Sequence, residues 1–212
     1  MIESLIALMI AREVTSQKIQ LDMISAEYRA QQEQKEKQAS GSGNANNGGN
    51  VAVKYNVTFD ISSRGSLKGD VNEFANVVEN TLTDRRGWAR AGVKFTRVAS
   101  GGRLHVILAS GAEIDKYYGC SAELSCTVYP EVLINDTRWL NATDSYNSAG
   151  LSLASYRQMV INHEVGHFLG HDHSSSCGAG GVAPVMLQQS TGLRGCTGNS
   201  WPLDSELWVT RW

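Results

Sequence analysis

Residues 163–173 read His-Glu-Val-Gly-His-Phe-Leu-Gly-His-Asp-His, the pattern HExxHxxGxxH, and four of the chain's five histidines fall inside it. On a helix His163 and His167 stand one turn apart, so their imidazoles leave one face with Cβ atoms about 5 to 6 Å apart, close enough to share an ion. Glu164, beside the first histidine, is placed to reach water at that ion and take its proton. Gly170 suits a left-handed residue that ends a helix without a Cβ clash. A chain that turns back there can return His173 as a third ligand and leave the fourth tetrahedral position open, as catalytic zinc sites do. The string thus demands a helix that stops at Gly170 and a loop that folds back over its face. His171 and Asp172 share the window without the spacing, and read as solvent-facing or as groups that orient the ligands. Glu206 as third ligand is disfavoured, because His173 already stands at the required spacing.

The segments around this string read as alternating strands and helices. Val53, Tyr55, Val57 and Phe59 alternate as in a strand, and Val71, Phe74, Val77, Val78 and Leu82 repeat at helical spacing. Val93–Val98 and Leu104–Leu108 read as two strands, joined through Ser100-Gly101-Gly102 by a hairpin or tight bend, with His105 a strand residue. Val132–Asn135 is a further strand, Ser152–Leu169 the long helix of the histidines, and Asp204–Val209 a short C-terminal helix. The order suits an α+β domain with a twisted mixed sheet over the active-site helix. Ahead of it, residues 1–39 hold no proline or glycine and read as a helical arm, and the Gly/Ser/Asn-rich residues 40–50 as a flexible linker. The folded domain is expected over 51–212.

A formal net charge of −2 without a dense basic block gives no electrostatic footprint for nucleic acid. Cys120, Cys126, Cys177 and Cys196 allow three pairings; their clustering favours 120 with 126 and 177 with 196, while reduced thiols or Cys177 as an extra ligand stay open. Disulfides point to an extracytoplasmic location, secreted or membrane-anchored. Leu5–Ala11 is apolar but too short to span a bilayer, and no basic residue precedes it as in a signal peptide. Membrane anchoring through an N-terminal segment and an amphipathic helix are both open, and the sequence assigns no oligomeric state.

With Met186, in Ala183-Pro184-Val185-Met186 thirteen residues after His173, the long motif resembles that of the metzincin zinc metallopeptidases. More narrowly, Tyr156–His173, the Met186 segment, Gln188-Gln189, Gly192-Leu193, Gly195-Cys196 and Trp201-Pro202 are similar to an uncharacterised family of secreted bacterial metzincin-like proteins. The similarity covers residues 117–202. It implies a metzincin-like fold in which Met186 forms a hydrophobic floor beneath the metal, but carries over no substrate. Leu187 and Gln188 follow the methionine with no tyrosine, which argues against a mechanism that places a tyrosine on zinc or the oxyanion. The expectation is a zinc-dependent metalloendopeptidase acting on a peptide or protein substrate, with Glu164 as general base. Its rivals are a zinc hydrolase of cell-wall peptide or amide bonds and a noncatalytic extracellular module that zinc stabilises.

Overall fold

The computed structural model describes residues 51–211; the expected arm at 1–39 and linker at 40–50 lie outside the described residues. The domain is α+β, built on a five-stranded mixed sheet of β1 (Tyr55–Arg64), β2 (Val93–Arg97), β3 (Leu104–Ala109), β4 (Cys126–Val128) and β5 (Glu131–Asn135). Their order across the sheet is β2-β1-β3-β5-β4. Only β4 runs antiparallel to its neighbour, with Cys126 opposite Leu133 and Val128 opposite Glu131.

The link between β2 and β3 is not a hairpin. Both strands run parallel to β1, one on each side: β2 pairs with Tyr55–Phe59 and β3 with Phe59–Arg64. The chain therefore steps across β1 at Phe59 without reversing. Gly102 makes this passage, so close that a Cβ on it would lie 2.6 Å from the Asp60 nitrogen and 2.7 Å from the Phe59 carbonyl carbon. The step is held by the Val98 N–H to the Phe59 carbonyl at 2.8 Å and the Gly102 N–H to Asp60 Oδ2 at 2.7 Å. Glycines between two strands signal close approach as readily as reversal, and here the approach decides. His105 is a strand residue, its Nδ1 2.8 Å from Asp60 Oδ1.

Helix α1 (Val71–Thr83) starts where Asp70 accepts the Asn72 and Glu73 N–H groups. Short helices follow: α2 (Gly111–Ile114), α3 (Asp136–Asn141) and α4 (Asp144–Ser148). The sequence reading assigned neither β4 nor α2, α3 or α4. Helix α5 (Leu153–Leu169) carries the histidines; Ser152 caps its start by accepting the Ser155 N–H, and Gly170 ends it at φ 103°. One core joins Val57, Phe59, Val106 and Ile134 of the sheet with Phe74 and Val78 of α1 and Ile161, Val165 and Phe168 of α5. Each such side chain contributes about 1.5 to 3 kcal/mol through burial. On the other face, Ile107 and Leu133 are covered by Ile114 and Tyr117, and the Tyr117 hydroxyl donates to Glu131 at 2.7 Å.

Two disulfides form, Cys120–Cys126 and Cys177–Cys196, the pairing that the clustering favoured. They point to an oxidising, extracytoplasmic environment. Among the described residues no helix is long and apolar enough to cross a membrane.

The expected C-terminal helix over Asp204–Val209 is only a 3-10 turn, Asp204–Glu206. Tertiary partners claim the groups a helix would have used. The Trp208 carbonyl faces the His171 ring at 2.9 Å, and the Thr210 and Arg211 N–H groups both donate to the Leu169 carbonyl at 3.2 Å.

Candidate metal centre

Burial makes α5 unusual as a helix, since Tyr156, Val160, Ile161, Val165 and Phe168 leave few of its sides in solvent. His163 and Glu164 are buried with them. The fold brings His163, His167 and His173 together, with one ring nitrogen of each within 4.8 Å of the others. His167 Nε2 and His173 Nε2 are 3.1 Å apart, and the ring centroids of His163 stand 4.9 Å from His167 and 5.2 Å from His173.

Backbone carbonyls fix which nitrogens face the centre. His163 Nδ1 lies 2.8 Å from the Val185 carbonyl and His167 Nδ1 2.8 Å from the His171 carbonyl. A carbonyl only accepts, so each Nδ1 carries the hydrogen and each neutral ring turns a bare Nε2 inward. Burial holds all three rings below the ordinary imidazole range. His163 is pushed down to about 3, helped by the nearby His167, and His167 and His173 are lowered by the same cause. Three neutral, convergent nitrogen donors, two of them oriented from behind, fit a borderline metal ion.

Met186 packs against the helix between the two helical histidines. A Cβ on Gly166, between the two helical histidines, would meet Met186 Sδ at 2.3 Å and Trp88 Cζ2 at 3.0 Å. Only a glycine lets the methionine come this close to the helix. The turn itself is clasped from the C-terminal side: buried Glu206 accepts the Val185 N–H at 3.0 Å, the Met186 N–H at 2.9 Å and the Leu203 N–H at 2.8 Å. Glu206 therefore holds the turn and is no member of the histidine cluster. His171 is buried rather than solvent-facing, packed between Trp88 and Trp208, and orients His167 through its backbone. Asp172 is exposed.

Glu164 lines the same cleft, of about 380 Å³, as the three histidines. Burial raises its carboxyl to about 7, against a downward pull from the Thr127 hydroxyl. Thr127, on edge strand β4, lies 2.7 Å from Glu164 Oε2 and 2.9 Å from the Glu164 backbone carbonyl. Sequence reasoning missed Thr127, because a threonine in a three-residue strand resembles any other. It also missed the Val185 and His171 carbonyls, which every residue type possesses. Cys120 and Cys126 line the cleft directly, and Cys177–Cys196 ties the loop after His173 to the segment beyond Met186.

The family model described as "Protein of unknown function (DUF3152)" matches residues 24–207. The match spans most of the chain, which therefore belongs to that family. Among curated proteins none matches it.

Proposed function

We propose that the chain is a zinc-dependent metalloendopeptidase of the metzincin type, acting outside the cytoplasm on extended peptide segments, as a secreted or anchored protein. The observation that carries this reading is a carboxyl group, Glu164, in one cleft with three imidazole nitrogens within 4.8 Å of one another. His163, His167 and His173 would hold the ion, with Met186 packed below. Zinc bound there supplies Lewis acidity, which polarises a carbonyl and lowers the pKa of water toward about 7.

Glu164 moves the proton. With its carboxyl raised to about 7, it exchanges a proton near neutral pH: it accepts one from the attacking water and returns it to the leaving amine. Thr127 serves both states. Its hydroxyl donates to Oε2 of the carboxylate; once Glu164 is protonated, the carboxylic O–H can donate to Thr127 Oγ1, whose own hydrogen turns to the Glu164 carbonyl. Strand β4 is an edge of the sheet beside Glu164, and its outward main-chain groups, unpaired among the described residues, suit an extended peptide added as a further strand.

Metal analysis beside a peptide-library digest tests the reading. Glu164→Gln is expected to keep the metal and lose at least about a hundredfold in turnover, whereas His173→Ala is expected to lose the metal. Undiminished hydrolysis by Glu164→Gln, or full activity after thorough chelation, would sink the proposal.

A further inference from the structure

Arg211 lines the same cleft as Glu164 and His167, and neither the motif nor the proposed chemistry uses it. Its position is built into the fold. The Arg211 and Thr210 N–H groups share the Leu169 carbonyl at 3.2 Å, which seats the tail on the end of α5. Gly170 permits this seating: a Cβ there would meet Thr210 Oγ1 at 2.1 Å and the Arg211 nitrogen at 3.2 Å. The guanidinium lies 5.6 Å from the ring centroid of Tyr129. That ring is itself stacked on Phe168, with centroids 5.3 Å apart. An aromatic platform of this kind holds a guanidinium by its face and leaves its N–H edge available.

The cleft offers that edge no carboxylate. Arg211 is exposed and forms no ion pair among the described residues. The two acidic groups that line the same cleft are Glu164 and Asp172. Glu164 is engaged by Thr127, and Asp172 makes no contact with Arg211 close enough for an ion pair. Six other described arginines are ion-paired, among them Arg97 with Glu79 at 3.0 Å, Arg138 with Glu123 at 2.9 Å and Arg157 with Glu73 at 2.7 Å. An arginine whose backbone is anchored at a cleft and whose guanidinium makes no ion pair among the described residues has the donor geometry to bind a carboxylate.

We propose that Arg211 is a specificity-determining residue that selects peptides bearing a carboxylate, either an acidic side chain or a free C-terminus. This deepens the peptidase reading and rests on it for the identity of the ligand as a peptide. The recognition itself needs only the cleft.

Equilibrium binding to the full chain carrying Glu164→Gln tests it without turnover. The probes are fluorescent alanine-rich decapeptides with a single Glu or Gln scanned through each position, each made with a free and an amidated C-terminus. At one position, or at the free terminus, the carboxylate is expected to tighten binding about fivefold to tenfold, an advantage that shrinks as salt rises. Arg211→Gln is expected to remove that advantage and Arg211→Lys to retain part of it, with unchanged circular dichroism for both. A gain from Glu identifies the side chain as the source, and a gain from the free terminus identifies the chain end. Equal affinities for Glu and Gln peptides and for both termini, or an advantage that survives Arg211→Gln, would overturn the assignment. Failure of the metal-loaded wild type to cleave these peptides would instead sink the peptidase reading, while Arg211-dependent binding would stand.

Discussion

In the proposed mechanism the proton-handling pair is Glu164 with Thr127, one on the helix and one on the edge strand. Because the Thr127 hydroxyl pulls the Glu164 carboxyl down against burial, Thr127→Val is expected to raise it further. The acidic limb of the pH–rate profile should then move to higher pH, and Thr127→Ser should restore it; an unmoved limb would show that Thr127 does not act on the carboxyl. The histidines give a second pH effect, best read in chelated protein. His163 takes a proton near 6.5 when unfolded but only near about 3 when folded. Between those values the unfolded chain binds more protons, so its contribution is fully present above 6.5 and is lost as pH falls toward 3. Glu164, raised to about 7, acts in the opposite sense: its contribution is present below 4.5 and is lost as pH rises. The comparison therefore belongs in the Glu164→Gln background. There, replacing His163 with Gln is expected to flatten the fall of Tm on acidification, and an equally steep fall in both proteins would contradict the assignment.

Elements were legible where their side chains repeat and illegible where the chain makes contacts out of register with its own pattern. Helix α5, with Ser152 before it and Gly170 after it, could be bounded almost to the residue. The step from β2 to β3 could not. Glycine at 101 and 102 is compatible with a reversal, and only the pairing of β1 with both strands shows that the chain crosses instead. The two glycines separate the cases by experiment. Gly101→Ala meets nothing within 4 Å and has only a positive φ of 69° to strain it, a cost of about 1 kcal/mol. Gly102→Ala drives a methyl group into the β1 backbone and is expected to cost more than about 2 kcal/mol by denaturant unfolding. Similar costs for the two would mean that the crossing is looser than described. The candidate site follows the same division. Its three histidines and Glu164 were readable from spacing, while Thr127 and Arg211 lie outside the motif and the Val185 and His171 carbonyls carry no sequence signal.

At the scale of the whole molecule, the histidine cluster depends on chain that lies well beyond it in sequence. The Cys177–Cys196 link closes the longer loop, with a sequence separation of 19 against 6 for Cys120–Cys126. By chain entropy it contributes about 3 kcal/mol against about 2 for the shorter one. Removing both Cys177 and Cys196 should accordingly lower stability more than removing the other pair, and weaken metal retention as well; an unaltered unfolding midpoint would argue that the loop is held by other contacts. Glu206 makes the dependence stricter, since its carboxylate accepts three N–H groups, two of them buried in the Val185–Met186 turn. Proteins are synthesised from the amino end, so all three imidazoles are joined to the chain before this clasp exists. On the proposed metal-site reading, a polypeptide ending before Glu206 would carry the complete histidine string without the clasp that holds the Val185–Met186 turn.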